Sequence, residues 1–272
     1  MSNTWRSIKE LREIHSDISA GFYSTEYAKK HGLYEKNLSE SFGTVPSVWV
    51  PEPIEVAIDE NGETVYRTLK PGTWYEESKE KFETSLGTFI SNNMGEFGGE
   101  LITPKGRLSG NFVEVFECGG VTYAIDSLVH FSVAHIRIYA FTDNSDAIRL
   151  YDTESSNDLN FDVLNWISYA GSYIVDDTAY VLASGRIRNY SLDDDEWHER
   201  SYLFKLQNGK ITEQTEFDRT FYYVNNILIK DGQLIIGLDK MVKVVDLRTK
   251  EMKMYTPIGT EAENDILKTS KK

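Results

Sequence analysis

Cysteine is almost absent from this chain, and no apolar run approaches the roughly 20 residues that a membrane-spanning helix needs. The single cysteine, Cys118, excludes an internal disulfide framework and is typical of a reducing compartment. It precedes a glycine pair and follows an apolar run, so we expect a structural thiol there. No basic segment followed by an apolar one opens the sequence, as a secretory signal would require. We therefore expect a cytoplasmic protein.

Positive charge is also scarce. The chain has 29 Lys and Arg against 43 Asp and Glu, a formal net charge of −14. Residues 1–40 carry six of each kind, so the whole deficit lies in residues 41–272. Such a balance repels nucleic acid and anionic membranes and attracts a basic protein. It also keeps ordinary proteins in solution, so a solvated surface and a docking surface are both open interpretations.

Catalytic and metal-binding motifs are missing as well. The sequence has no Gly-x-Ser-x-Gly, no His-Glu-x-x-His, no cysteine pair and no phosphate-loop lysine after its glycine-rich string. His130 and His135 are an odd number of residues apart in one extended region, which directs their side chains to opposite faces of a strand. We predict no catalytic residues, no metal and no cofactor.

The first residues have a helical spacing, and we predict a short helical N-terminal cap over residues 1–44. Apolar side chains recur there in steps of three and four, at Trp5, Ile8, Leu11, Ile14 and Ile18. A second short helix is predicted from Ser24, Tyr27 and Ala28, ending at His31-Gly32. The prolines at 46, 51 and 53 then favour an extended connection.

From residue 45 to 258 the pattern is that of β-structure. Two apolar runs flank a polar turn at Asn61-Gly62, Cys118-Gly119-Gly120, Asp176-Asp177-Thr178 and Asp231-Gly232, with spacings of roughly 54 to 58 residues. We predict an all-β fold of four-stranded antiparallel units, followed by a polar C-terminal tail at residues 259–272.

The fourth unit shows the pattern most clearly. Its strands are Ile227–Ile229, Leu234–Ile236, Val242–Leu247 and Met252–Tyr255. With these residues the chain resembles β-propeller repeat proteins, over at most residues 54–257, and the resemblance implies sheets in propeller-like succession. The repeated Trp-Asp dipeptide and the paired kelch glycines of such families are missing. A partial propeller or a large β-sandwich therefore stays open.

The most unusual string is Asn92 to Leu101, with three glycines and two glutamates around a phenylalanine. It is either a structural turn or an exposed recognition loop. The segment Gly95-Glu96-Phe97-Gly98-Gly99 is similar to segments in immunity proteins of bacterial polymorphic toxin systems. That resemblance implies a basic toxin domain as partner.

We predict a non-enzymatic, protein-binding module, in the most concrete case an acidic immunity-type protein that neutralises a basic toxin domain. The predicted partner-binding residues are Glu96, Phe97 and Glu100, together with Asp193, Asp194 and Asp195 of an acidic run that is typical of a solvated loop. The alternative is a carbohydrate-binding or glycoside-hydrolysing propeller protein, with Glu96 and either Asp126 or Asp177 as its carboxylates. A structural repeat protein without a ligand is a third possibility.

Overall fold

A computed structural model of the chain describes residues 4–14, 23–24, 47–48, 53–69, 79–93, 98–130, 133–143, 146–153, 163–188, 197–221 and 223–257. These residues are almost wholly β-structure, with one 3-10 helix, Ile8–Glu10. The strands in chain order are β1 (Arg6–Ser7), β2 (Leu11–Ile14), β3 (Tyr23–Ser24), β4 (Ser47–Val48), β5 (Ile54–Ile58), β6 (Thr64–Thr68), β7 (Lys79–Thr84), β8 (Gly87–Asn93), β9 (Gly99–Thr103), β10 (Gly106–Ser109), β11 (Phe112–Cys118), β12 (Val121–His130), β13 (Val133–Phe141), β14 (Ile148–Asp152), β15 (Val163–Val175), β16 (Thr178–Arg188), β17 (Trp197–Gln207), β18 (Lys210–Phe217), β19 (Asn226–Lys230), β20 (Gln233–Gly237), β21 (Val242–Asp246) and β22 (Met252–Pro257).

The chain divides into two compact units. Unit 1 takes residues 1–72 and 223–272, and unit 2 takes residues 73–222. In unit 1 the described strands form the sheets β1-β6-β5 and β19-β20-β21-β22-β2 and the two-stranded ladder β3-β4. In unit 2 they form β10-β9-β8-β7, β11-β12-β13-β14 and β15-β16-β17-β18. The strand pairs of the described residues are all antiparallel, so the predicted all-β class and the four-stranded antiparallel sheets are confirmed.

The predicted N-terminal helix is wrong for residues 6–14. Arg6 and Ser7 pair with β6, and Leu11 to Ile14 pair with β22, so this short segment adds a strand to each of the two larger sheets of unit 1. The 3-10 helix between the two strands begins after Ser7, whose hydroxyl accepts a hydrogen bond from Lys9 N. Of the apolar positions in the predicted pattern, only Ile8 lies in this helix among the described residues, and Leu11 and Ile14 lie in β2. Strand pairing therefore overrides the helical pattern.

Beyond residue 14, the predicted cap lies outside the described residues except for Tyr23–Ser24, which pairs with Ser47–Val48 in the ladder β3-β4. The same holds for the predicted boundary at residue 44 and for the polar tail at 259–272. These predictions stay predictions.

The four predicted turns are confirmed as the hairpin turns β5–β6, β11–β12, β15–β16 and β19–β20. Gly62 has φ of 75° and Asp176 has φ of 51°, the left-handed conformation that such tight turns require. Cys118 is buried at the end of β11, as expected for a structural thiol, and burial raises its pKa.

The repeat pattern missed one sheet. Strands β7 to β10 lie between the first and second predicted turns, and the string Asn92 to Leu101 joins β8 to β9 within that sheet. Their sequences are polar and short, such as Lys79–Thr84, so they have little of the apolar alternation that marks a strand. The near-equal spacing of the four turns therefore does not mean that each interval between two turns contains a single sheet.

Two apolar clusters are found among the described residues of unit 2. One is formed by alternate residues of β11 to β13 and β16 to β17, with Tyr123, Ile125, Ile136, Ile138 and Phe204 all fully inaccessible to solvent. The other joins the sheets β7–β10 and β11–β14 through Phe89, Leu101, Phe112 and Phe141. Ile136, Ile138 and Ala140 alternate along β13 and all face the first cluster.

Candidate functional site

The predicted partner-binding residues fall largely outside the described part of the chain. Glu96, Phe97, Asp193, Asp194 and Asp195 belong to this group, so their roles stay predictions. Glu100 is described and lies in β9, where its carboxylate accepts hydrogen bonds from Arg107 Nη1 at 3.0 and 3.2 Å. Glu100 is therefore engaged by Arg107 of β10, the neighbouring strand in the same sheet.

One glycine of the predicted recognition string has a packing role. A Cβ on Gly99 would lie 2.4 Å from the carbonyl oxygen of Asn92 and 2.9 Å from that of Gly110. Gly110 N donates to Gly99 O at 3.0 Å, which holds the two backbones together. Close backbone approach, which glycine permits, is therefore found at Gly99.

Beside this contact lies a buried network of charges. Asp126 is fully inaccessible to solvent, and its carboxylate accepts Asn111 N at 2.7 Å and Arg137 Nη1 at 3.0 Å. His135 Nε2 lies 3.1 Å from Asp126 Oδ2. Arg137 Nε in turn lies 3.4 Å from Asp152 Oδ2. Asp126, Arg137 and Asp152 are direct cross-strand partners on β12, β13 and β14, so the network crosses the sheet in a single row.

The burial of this row of charges argues against a catalytic role for Asp126 in the glycoside-hydrolysing alternative. An acid or base must reach the atom whose proton it moves, and Asp126 is enclosed and held by its own chain. Asp177, the other carboxylate of that hypothesis, is exposed in the β15–β16 turn. His130 ends β12 and His135 lies in β13, so the two histidines stand on neighbouring strands of a hairpin rather than on one strand.

The β7–β8, β9–β10, β11–β12, β13–β14 and β15–β16 turns of unit 2 adjoin one another at one end of its sheets. On one side of that end, a Cβ on Gly87 would lie 3.1 Å from Pro104 Cγ, so the β7–β8 and β9–β10 turns adjoin. Lys105 Nζ donates to the carbonyl oxygen of Asp143 at 2.9 Å and lies 3.5 Å from that of Thr142. The β9–β10 turn therefore also adjoins the connection between β13 and β14.

The contacts continue across the other sheets. Ser85 N donates to Glu117 Oε2 at 2.6 Å, which joins the β7–β8 turn to the end of β11. A Cβ on Gly119 would lie 3.5 Å from the carbonyl oxygen of Asp177, in the β15–β16 turn. We call this surface the turn end; it comprises residues 84–87, 104–106, 117–120, 142–143, 146–147 and 175–178.

The turn end is acidic. Its exposed carboxylates are Glu117, Asp143, Asp146, Asp176 and Asp177. Glu117 is engaged by Ser85 N, whereas Asp143, Asp146, Asp176 and Asp177 form no ion pair with any residue that the structure describes. Lys105, the cation of this surface, donates to the carbonyl oxygen of Asp143 and keeps its positive charge. With five exposed carboxylates and one lysine, the turn end has a net negative charge.

A cleft of about 420 Å³ opens between the β9–β10 turn and the β13–β14 connection. Its apolar walls are Leu86, Phe89, Leu108, Phe141 and Ala147. The polar residues along it include Lys105, Arg107, Asp143 and Asp146. A volume of this size falls within the roughly 300 to 1,000 Å³ that ligand-binding clefts usually have.

Sequence reasoning missed this cleft. Pro104-Lys105-Gly106 and Thr142-Asp143 are both turn strings by composition, so each turn could have been predicted. What the sequence does not show is that the two turns meet, because they belong to different sheets.

Further chemistry is limited in the part of the chain that the structure describes. Within it, no group of three or more His, Cys, Asp or Glu side chains is arranged to hold a metal ion. No helix among those residues is long and apolar enough to cross a membrane.

Fold and site together define an all-β protein of antiparallel hairpin sheets with an acidic turn end. No known protein family matches the sequence. No curated protein matches it either. Among solved structures, the chain is similar to the N-terminal domain of Nup159, at 11% identity and a TM-score of 0.29. The match covers 69% of this chain and 53% of that one, so the chain spans about half of that domain's length. At this identity and TM-score the similarity carries no argument about fold or function.

Proposed function

We propose that this chain is a protein-binding module that holds a basic protein partner. The observation that carries the proposal is the turn end of unit 2, where Asp143, Asp146, Asp176 and Asp177 are exposed and form no ion pair with described residues. The net charge of −14 extends the same sign over the molecule. Charge of one sign raises the rate at which an oppositely charged partner associates.

In its most concrete form, the proposed partner is a basic toxin domain, and the chain is an immunity-type protein that neutralises it. The acidic surface supports this form because many basic enzymes act on nucleic acid, whose phosphates an acidic protein can imitate in charge. Glu96, Phe97 and the Asp193 to Asp195 run are proposed to extend the binding surface.

We propose further that the sheets follow one another in propeller-like succession. The support comes from connectivity within the sheets: β11 to β14 and β15 to β18 are each simple meanders in chain order. In unit 1, the strand β2 from the start of the chain adds to β22 as the outer strand of the last sheet.

The function is tested by capture followed by kinetics. The purified protein is used to capture partners from the cells that express it, and the association rate with each captured protein is then measured at increasing salt. We expect a basic partner whose association slows several-fold between about 0.05 and 0.5 M salt, because exposed charges are screened beyond the Debye length. Relief of growth arrest, when the partner is produced together with this chain, would identify that partner as a toxin.

Two results would overturn the proposal. One is a partner whose association rate does not respond to salt. The other is binding to a glycan array, or hydrolysis of aryl glycosides, in the absence of any basic protein partner. The second result would favour the carbohydrate alternative, with Glu96 and Asp177 as the carboxylates to substitute first.

A further inference from the structure

Residues 4–14 form a strap across the outer edges of two sheets of unit 1. β1 pairs with β6 through Arg6 and Ser7, and β2 pairs with β22 through Leu11 to Ile14. Among the described strands, β1 ends the sheet β1-β6-β5 and β2 ends the sheet β19-β20-β21-β22-β2. The strap is therefore attached by two short ladders at the edges of these sheets, one of two residue pairs and one of four.

Few side chains of the strap are buried. Among its described residues, Leu11 alone is buried. Lys9 Nζ lies 2.9 Å from Glu63 Oε2, and these two side chains are 73% and 54% exposed. Arg67 lies over the ring of Trp5, which is exposed. Exposed ion pairs and exposed cation–π contacts contribute little to stability, so Leu11 is the principal apolar anchor of the strap.

The two sheets are also joined to each other by residues outside the strap. The side-chain amide of Asn226 pairs with both backbone groups of Val56: Oδ1 accepts from Val56 N at 3.0 Å, and Nδ2 donates to Val56 O at 2.7 Å. Ile54 N donates to Leu238 O at 2.8 Å, and Ile54, Val56 and Leu238 are all buried. Unit 1 therefore has a buried junction between β5, β19 and the end of β20, in addition to the strap at its outer edges.

We propose that the strap opens as one element while the two sheets of unit 1 stay folded and joined. Its two ladders are linked directly by the 3-10 helix Ile8–Glu10, so they open together when Leu11 leaves its buried position. Elements with few buried apolar contacts open at a lower free energy than the structure they pack on. Opening uncovers the edges of β6 and β22, whose backbone groups then face solvent. The strap thus controls access to two strand edges.

This opening is smaller than the unfolding of unit 1 as a whole, and hydrogen exchange separates the two. Amide exchange is followed residue by residue by NMR on the isotope-labelled full chain. We expect the amides of β2 to exchange at least about a hundredfold faster than the most protected amides of β20 and β21. Equal protection would overturn the proposal, because the strap would then open only when the sheets unfold.

Two matched leucine truncations in one sheet sharpen the test. Leu11 lies in β2, and Leu228, which is also buried, lies in β19 at the opposite edge of the five-stranded sheet. Leu11→Ala should speed exchange in both β1 and β2 at least about tenfold, because Leu11 stabilises the closed strap. Exchange in β20 to β22 rises as well, since unfolding of unit 1 also releases Leu11.

Leu228→Ala should speed exchange in β19 to β21 at least about tenfold and leave β1 and β2 within about twofold of the original, because Leu228 keeps its contacts when the strap opens. Should this variant unfold unit 1, Ile227→Val is a smaller truncation in the same strand, with an expected acceleration of about threefold in β19 to β21 and the same silence in the strap.

Two results with these variants would contradict the strap. If the truncation in β19 speeds β1 and β2 as much as it speeds β19 to β21, the strap opens only together with its sheets. If Leu11→Ala speeds exchange in β2 and leaves β1 unchanged, each ladder opens on its own and the strap is not one element.

Discussion

Single residues carry the largest energies where charge is buried, and Asp126 is the clearest case. It is enclosed in the sheet β11–β14 and paired with Arg137, which also contacts Asp152. Removing one partner of a buried pair leaves the other charge poorly compensated, and this is strongly destabilising. We expect Asp126→Ala to lower the free energy of unfolding in urea by about 3 kcal/mol.

The matched control for Asp126 is a more exposed pair. Glu55 and Arg67 lie 2.6 Å apart with side chains 29% and 31% exposed, and Arg67 also lies over the Trp5 ring. Glu55→Gln should cost less than about 1 kcal/mol, because solvent screens the pair. A loss for Asp126→Ala no larger than that of the control would show that the row of charges contributes little.

Tyr169 links two sheets of unit 2 and makes the free energy of unfolding depend on pH in the alkaline range. Burial raises the pKa of its phenol, and the Glu114 carboxylate, to which its hydroxyl donates, raises it further. Ser172 Oγ donates to the other oxygen of Glu114 at 2.8 Å. The folded pKa lies above the unfolded value of about 10, so the folded state binds this proton more tightly.

The stability that Tyr169 contributes in this way is therefore complete below about pH 10 and is lost as pH rises beyond it. We expect the free energy of unfolding to fall above about pH 10, and Tyr169→Phe to make that decline less steep. Tyr223→Phe, at a tyrosine that is 48% exposed, is the control for removal of a phenol. Urea titrations over this pH range measure the free energy of unfolding of both variants. Identical slopes against pH for the two variants would contradict the assignment of this pH dependence to Tyr169.

Among the elements, close approach of two strands in unit 1 explains a glycine that no turn requires. A Cβ on Gly237 of β20 would lie 2.2 Å from the carbonyl oxygen of Ile54 and 2.8 Å from Asn226 Oδ1. Ile54 N donates to Leu238 O at 2.8 Å, so β5 and the end of β20 are held at this spacing. Gly237→Ala should destabilise the protein by roughly 1 to 3 kcal/mol through overpacking.

Gly62→Ala is the counterpart of that substitution. A Cβ there meets nothing within 4 Å, but the φ of 75° is one that L-residues adopt at a cost. The expected loss is about 1 kcal/mol, from backbone strain alone. Thermal and urea denaturation of both variants measure the two losses of stability. A larger loss for Gly62→Ala than for Gly237→Ala would contradict the role of close strand approach at Gly237.

The elements also show how far sequence reasoning reaches. The hairpin turns at Asn61-Gly62 and Asp231-Gly232 could be predicted because turn chemistry is local: a residue with positive φ separates two alternating apolar runs. The N-terminal strands could not, because Leu11 is buried by pairing with β22, whose sequence lies more than two hundred residues away. Local spacing carries no information about such a partner.

The candidate site divides along the same line. Close backbone approach in the glycine-rich string follows from composition, and it is found at Gly99. The cleft at the turn end depends on the contact of Lys105 with the backbone at Asp143, which joins turns of two different sheets. The buried position of Asp126 depends on the register of β12 against β13, which a one-residue shift would reverse.

At the scale of the whole molecule, the two compact units differ in how the chain builds them. Unit 1 needs both ends of the chain, since β2 completes a sheet made otherwise of β19 to β22, whereas unit 2 is continuous over residues 73–222. Leu11 is 7% exposed in unit 1, and Leu101 is fully buried in unit 2. Truncating a buried leucine costs roughly 2 to 5 kcal/mol through lost burial and the cavity that remains.

This organisation predicts that the units can open separately. Leu11→Ala should speed amide hydrogen exchange in β5 and β20 to β22 and leave the most protected amides of β12 and β16 slow, because local unfolding proceeds in cooperative structural units. Leu101→Ala should do the reverse. Hydrogen exchange followed by mass spectrometry on both variants gives the comparison strand by strand. Equal acceleration of exchange in every strand of both variants would mean that the two units unfold as one. The division into two compact units would then not correspond to two separately unfolding units.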